Sequence, residues 1–236
     1  ETIAALLALN HRFYIDLAEP FRASRPADDP ALATILPHIP GHARVLDVGC
    51  GSGRLAGLLD RERPGAAYTG VDWSPVFIEP LRASPPPHIA ASFHLADVTR
   101  PGWTRLLPAE PYDCAVLLAV LQHIPSFGLR VQVLQEAGAV VRPAGVLLVS
   151  AWQFLERPRM RRKVVPWEEA GIAAERLEPG DYLLRWERGG QGRRYCHLLD
   201  EAELQQLAEA GGWRIEAAWR AGGREGDLGL YAVLRR

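Results

Sequence analysis

Asp47 lies inside an apolar run, Val45 to Arg54 (VLDVGCGSGR), and three glycines follow it at alternate positions, Gly49, Gly51 and Gly53. A strand that ends in such a turn and feeds a helix leaves backbone N–H groups bare, because no Cβ stands between them and the polar tail of a ligand. The spacing predicts a nucleotide-type pocket. Two ligand classes fit the glycines. Gly51, Gly53 and Ala56 also satisfy G-x-G-x-x-A, with the acidic Asp72 about twenty residues further on, which is the dinucleotide pattern of a nicotinamide-dependent oxidoreductase. Asp47 favours the other class: a carboxylate beside the turn repels a pyrophosphate and suits a cationic or zwitterionic ligand.

Elements able to position this turn run along the chain. Apolar residues at helical spacing predict a helix over Ile3 to Leu17, and Asp29-Pro30 opens a second helical run to Leu36, stopped by Pro37 and Pro40. Strands are expected at Arg44–Val48, Ala67–Val71 (ending at Asp72), Ala91–Leu95 (ending at Asp97), Tyr112–Leu118 and Val146–Trp152. Between them lie a helix through Leu55–Leu59, one capped by Ser74 with Pro75 at its first position, and one over Ser126–Val141 closed by Arg142-Pro143-Ala144-Gly145. This alternation predicts a doubly wound α/β core with a parallel sheet. Residues 153–198 break the rhythm and read as a lid insertion. Asp200 and Glu203 then form a capping box, stapled by Leu199 and Leu204, on a helix over Glu201–Ala210, and Trp213–Trp219 with Leu228–Leu234 closes the chain as an antiparallel pair. The expected organisation is one domain: helices over 1–40, a cofactor-binding core over 41–152, the lid over 153–198, and a closing helix and strand pair over 199–236.

An acidic residue, any residue, then Gly-x-Gly-x-Gly resembles the first motif of the class I S-adenosylmethionine-dependent methyltransferases, and here Asp47 to Gly53 fills every position. The resemblance implies a Rossmann-like, seven-stranded, mostly parallel sheet with an antiparallel last strand, and S-adenosylmethionine as cofactor. Asp47 would orient the glycine turn and meet the methionine ammonium, Asp72 would accept both ribose hydroxyls, and Asp97 with the backbone at Val98 would read the adenine amino group. Trp73 would pack on the adenosine, and Ala119 completes the implied cofactor set. Each aspartate taken alone also fits a cap or turn residue. Their recurrence at three successive strand ends favours the cofactor.

Further segments, LNHRFYIDLAEPF with ASRP, VLQHI, VSAWQFLE, DYLLRW and YCHLLDEAEL, resemble landmarks of the tRNA methyltransferases that esterify carboxymethyl-uridine at the wobble position. What this resemblance implies is methyl transfer to a carboxylate, which is already ionised at neutral pH, so that alignment is the main task. Arg25, before Pro26, would clamp the acceptor carboxylate, His123, Tyr195 and His197 would donate hydrogen bonds around it, and Trp152 would offer a face to a flipped-out uracil. The implied partners are tRNA and a small activator protein. The run Arg157, Arg159, Arg161, Arg162 and Lys163 fits RNA phosphates or a solvated face.

Composition narrows the field. With 236 residues, 48% of them apolar and 23% charged, the chain has the make-up of a globular α/β protein. A net charge of −1 argues against a wholly basic nucleic-acid surface. The three cysteines, Cys50, Cys114 and Cys196, show no C-x-x-C spacing and indicate neither a disulfide framework nor a metal site. No apolar run nears the about 18 residues a membrane span needs, and a cytoplasmic protein without membrane contact is expected. The alternatives are a small-molecule methyltransferase with the same cofactor site and a non-catalytic relative that binds a partner.

Overall fold

The computed structural model describes residues 1–25 and 29–236, so Pro26 lies outside the described residues. Helices α1 (Thr2–Asp16) and α2 (Ala18–Ala23) open the chain, and Asp29 caps the one-turn helix α3 (Pro30–Ala33) by accepting from the Ala31 N–H at 3.1 Å. The alternation then runs β1 (Arg44–Val48), α4 (Arg54–Glu62), β2 (Ala67–Asp72), α5 (Pro75–Ala83), β3 (Ala90–Leu95), β4 (Tyr112–Leu118), α6 (Phe127–Ala139) and β5 (Val141–Trp152). After it come α7 (Pro158–Arg161), β6 (Val164–Val165), β7 (Asp181–Trp186), β8 (Gly192–His197), α8 (Glu201–Ala210), β9 (Arg214–Ala221) and β10 (Gly229–Arg235).

Seven strands form one sheet in the order β3-β2-β1-β4-β5-β10-β9. The first five are parallel, and β10 is antiparallel to both β5 and β9. This is the expected Rossmann-like sheet, and it follows from strands that are apolar on both faces. Leu46 and Val48 of β1 join Leu117, Val133 and Leu134 in the core on one face, whereas Val45 joins Val116, Leu59 and Ile78 on the other. Each such side chain contributes about 2 kcal/mol of burial. Strand order reverses between β1 and β4, which opens a crevice beyond their carboxyl ends.

Several local expectations are corrected. Helix α6 stops at Ala139, and Arg142–Gly145, expected as the closing turn, belong to β5. The register there passes from Tyr112↔Val141 to Cys114↔Val146, so the turn survives as an excursion opposite Asp113. Asp113 holds that excursion in place by accepting from the Arg44 N–H at 2.6 Å and pairing with Arg142 at 2.9 Å. Pro37 does not end a helix but sits within a 3-10 turn, Leu36–His38, that follows α3. The Ser74 hydroxyl caps nothing; it is buried without a partner among the described residues. The capping box is half formed, since Asp200 accepts from the Glu203 N–H at 2.9 Å while the Glu203 carboxylate turns to Arg130 and His197.

Residues 153–198 are more ordered than a lid read from composition. They contain an antiparallel sheet, β6-β7-β8, which Asn10 of α1 ties to the core. The Asn10 side chain accepts from the Tyr195 N–H at 2.8 Å and donates to the His123 carbonyl at 3.2 Å. No described helix is long and apolar enough to cross a membrane.

Candidate active site

A cavity of about 240 Å³ lies at the carboxyl ends of the central strands, under α1. Asp47, Gly49, Gly51, Asp72, Trp73, Asp97, Val98 and Ala119 all line it. Gly49 has φ +72°, and a Cβ there would stand 2.6 Å from Val120 Cγ2, so a side chain at this position strains the backbone and displaces Val120. Gly53 does not line the cavity. Gly53 has φ +75°, and a Cβ there would face Leu81 at 2.7 Å, so its missing side chain lets α4 pack on α5.

Two aspartates set the electrostatics. Asp47 is buried and accepts from the Tyr68 hydroxyl at 2.6 Å. Burial raises its pKa to about 7, against the lowering effect of that hydrogen bond and with added repulsion from Asp72. Asp72 accepts from the Gly51 N–H and the Ser74 N–H, both at 2.9 Å, one on each carboxylate oxygen. Burial lifts it to about 6. Each oxygen keeps a lone pair for a ligand donor. Both groups ionise more readily when a cation or hydroxyl donors reach them, so the pair suits a positively charged ligand with vicinal hydroxyls.

At the rim, Asp97 Oδ1 accepts from the Thr99 N–H at 3.0 Å and the Thr99 hydroxyl at 2.6 Å, which shapes the Asp97–Thr99 wall. Trp73 stacks on His11 with centroids 4.2 Å apart and 27° between planes. Ala119 adopts φ +56°, a conformation that costs a non-glycine residue about 1 kcal/mol. Its N–H donates to both the carbonyl and the hydroxyl of Ser150, at 3.0 and 3.1 Å. Arg54 pairs with Asp29 at 3.0 Å beside the cavity.

The residues expected to hold the acceptor divide into two groups. Arg25, His123 and Trp152 line the cavity. The Arg25 guanidinium packs over the rings of Phe21 (4.6 Å) and Trp152 (4.9 Å) and has no hydrogen bond or ion pair among the described residues. Burial and the neighbouring Arg194 lower its pKa to about 10, so it stays a cation. Trp152 carries a second guanidinium, Arg194, at 4.7 Å, so its ring is not the open stacking face expected. His123 is not a donor toward the cavity. Its Nδ1 lies 3.2 Å from the Tyr195 carbonyl, which can only accept, so Nδ1 carries the proton and Nε2 accepts from the Tyr14 hydroxyl at 3.1 Å. Burial, with Arg194 beside it, drops its pKa to about 3, so the ring is neutral.

Tyr195 and His197 face away from the cavity, because they lie on the far side of β8. The Tyr195 hydroxyl donates to Asp181 at 2.8 Å. His197 is fully buried between Asp181 and Glu203, 2.7 Å from each, and Arg130 pairs with Glu203 and Glu178 at 2.7 and 2.9 Å. Burial alone would lower the His197 pKa, but the bonds to Asp181 and Glu203 outweigh it and the net shift is upward. Glu178, Asp181 and His197 have ligand-type spacing, yet Arg130 pairs with Glu178 and both His197 nitrogens are taken by Asp181 and Glu203, so the cluster locks β7 and β8 to α6 and α8. In the basic run, Arg157 pairs with Glu225 and Asp227, distant in sequence, while Arg159, Arg161 and Arg162 are exposed.

Sequence reasoning missed Asn10, His11 and Tyr14 of α1, and Arg194. A signal existed for the helix residues: Asn10 and Tyr14, four apart, place polar groups on the same helix face as the buried Leu6 and Phe13. For Arg194, beside Arg193 and between polar residues, nothing in the sequence marks burial.

Comparisons agree with this geometry. The profile of the family described as a methyltransferase domain matches residues 21–218. A tRNA (carboxymethyluridine(34)-5-O)-methyltransferase of Arabidopsis thaliana is 29% identical over 143 residues, 60% of this chain and 32% of that protein. A trans-aconitate 2-methyltransferase of Methylobacterium nodulans is 34% identical over 145 residues, 60% of this chain and 50% of that protein. The chain thus spans a third to a half of the length of these relatives. The structure of a SAM-dependent methyltransferase from Methanosarcina mazei superposes with a TM-score of 0.66 at 21% identity, over 86% of this chain and 96% of that one, a likeness of fold.

Proposed function

The chain belongs to the methyltransferase-domain family, and on that premise we propose that it transfers a methyl group from S-adenosylmethionine to a carboxylate, the acceptor being a carboxymethyl-type wobble uridine of tRNA. When bound, S-adenosylmethionine supplies an electrophilic methyl group on a positively charged sulfur. Asp47 would meet the ammonium of its methionine part, and Asp72 would accept from the ribose hydroxyls on the lone pairs that Gly51 and Ser74 leave free. Asp97, Val98 and Trp73 bound the adenine end.

The observation that carries the carboxylate reading is Arg25, a partly buried guanidinium without an anionic partner at the mouth of this cleft. A planar fork of donors fits a carboxylate in two-point contact. An ionised carboxylate gives up no proton on methylation, so the neutral His123, with both ring nitrogens engaged, is no general base. It positions Tyr14 and the Tyr195 backbone around the acceptor. The tRNA assignment rests on the segments that resemble the wobble-uridine enzymes, on the Arabidopsis relative, and on the exposed arginines after α7's start.

A second reading keeps the chemistry and replaces tRNA by a small polycarboxylate, which the trans-aconitate relative favours. Incubation with labelled S-adenosylmethionine and either total tRNA or a pool of organic acids, followed by mass spectrometry, separates the two. A methyl ester on carboxymethyl-uridine supports the first, and an ester confined to the acids supports the second. No ester from folded protein that binds S-adenosylhomocysteine overturns carboxylate methylation.

A further inference from the structure

A second cavity, about 290 Å³, shares Arg25 and Trp152 with the cofactor cleft and runs from them toward β6–β8 and the β9–β10 turn. Its charge is opposite to that of the first. The cofactor cleft gathers Asp29, Asp47, Asp72 and Asp97. The second cavity has two acids, Glu225 and Asp227, and both are taken by Arg157. Arg25, Arg159, Lys163, Arg188, Arg194 and Arg224 line it with no carboxylate partner among the described residues.

Arg194 is the group that most needs explaining. It is 4% exposed, and its Nη1 is buried with no hydrogen-bond partner. Four rings enclose the guanidinium: Trp152 at 4.7 Å, Phe13 at 5.2 Å, Trp186 at 5.4 Å and Phe21 at 6.0 Å. The Tyr14 hydroxyl engages one side of the guanidinium, but ring faces offer Nη1 no acceptor, and a buried guanidinium lacking a counter-ion is held at a cost. Arg25 stands beside it on the same Trp152, adding repulsion that a bound anion removes. Lys163, over Trp186 at 5.9 Å, supplies a further charge on the same wall.

We infer that the second cavity seats the body of the methyl acceptor and that Arg194, helped by Lys163, binds there a second anionic group, a phosphate or a further carboxylate. The acceptor is then at least a dianion, with one carboxylate offered to Arg25 at the cofactor end. This rests on the carboxylate reading above and adds to it a specificity residue and a charge requirement. Only an acceptor that neutralises both guanidiniums gains the full interaction, so a simple monocarboxylate binds poorly.

Binding is measured by calorimetry with the S-adenosylhomocysteine-saturated protein and two pairs of probes. One pair is 5-carboxymethyluridine and its 3′-monophosphate; the other is butyrate and propane-1,2,3-tricarboxylate. The expected result is that at least one multiply charged probe binds tenfold or more tighter than its monoanionic partner, and that Arg194→Met erases this advantage. The pair that shows it separates a phosphate from a carboxylate source. No advantage in either pair, or one that survives Arg194→Met, overturns the inference. Unchanged S-adenosylhomocysteine affinity shows that the variant is folded. If it is not, Lys163→Gln decides, with a severalfold loss of the advantage expected and none overturning it. Arg25→Met tests the underlying reading separately: it should weaken all four probes alike, and if it weakens none, the carboxylate reading fails while the charge advantage stays measurable.

Discussion

The cofactor end and the acceptor end of this molecule meet at Arg25 and Trp152 but are built in different ways. At the cofactor end, Asp47, Gly49, Gly51, Asp72 and Asp97 sit at or just beyond the ends of adjacent parallel strands. Their partners are backbone N–H groups and near neighbours, as in the bonds from Gly51 and Ser74 to Asp72. At the acceptor end, α1, α2, the turn after β4, the end of β5 and the β6–β8 sheet each contribute one or two side chains. Asn10 bonds to residues 113 and 185 positions away. The first site is a property of strand ends, and the second exists only when distant elements dock. Their charges differ as well, acidic at the first and basic at the second, as the proposed cationic cofactor and anionic acceptor require.

The widest separation of the two ends is expected from Asp72→Ala. It removes the two charge-assisted bonds proposed to ribose and the anchor of Gly51, so S-adenosylhomocysteine affinity should fall by about 3 kcal/mol, roughly 150-fold, in calorimetry. Loss of less than fivefold would mean that Asp72 only shapes the turn. Arg25→Met is the converse. It should lower kcat/KM for the acceptor by about 2–3 kcal/mol, roughly 30- to 150-fold, and leave S-adenosylhomocysteine affinity within about twofold; equal losses in both would erase the proposed division.

His197→Gln probes how the acceptor end is held together. Removing the buried imidazole that bridges Asp181 and Glu203 should cost about 2 kcal/mol of stability, seen as a lower Tm and faster hydrogen exchange in β7 and β8, with little change in cofactor affinity. The contribution is also pH-dependent. Because the folded pKa lies above the unfolded 6.5, it is complete below that value and is lost as pH rises through the folded pKa. In the variant this part of the Tm–pH slope should vanish.

The smallest effect expected is a titration at the cofactor end. Asp47, raised from 3.8 to about 7, and Asp72, raised to about 6, hold protons in the free protein over a range where the unfolded chain has lost them. They therefore lower stability as pH rises from about 4 to 7. Binding of a cation reverses the preference and expels the Asp47 proton. Affinity for S-adenosylhomocysteine should drop about tenfold per unit below pH 7, with proton release detectable from buffers of different ionisation enthalpy. Asp47→Asn should flatten this profile; an unchanged profile would show that Asp47 does not meet the ammonium.

The difference in construction explains what the chain discloses in one dimension. The strand series, the glycine turn and the three aspartates are legible because each depends on residues a few positions apart and on apolar runs whose burial needs only a sheet. Even there the reading overreaches. Gly53 matches the motif, yet what its missing Cβ accommodates is Leu81. The Ser74 and Glu203 caps fit the sequence pattern, but Ser74 is buried and Glu203 is drawn to Arg130 and His197. At the acceptor end, Arg25 and Trp152 arrive where expected. Tyr195 and His197, however, point to the other side of β8, because only the pairing of β7 with β8 and the docking of α8 decide which face of a strand meets which charge.

The amino-acid sequence alone determined the parallel α/β core, the turn after β1 and the acidic set suited to a cationic ligand, since these follow from local periodicity and from the chemistry of carboxylate and glycine at fixed spacing. Tertiary structure alone decided that His123 is neutral with both nitrogens occupied, that Arg157 is matched by acids about seventy residues away, and that Arg194 is enclosed by four rings with a donor left over. Protonation, neutralisation and desolvation depend on every group that surrounds a charge, and those groups come together only when distant segments pack.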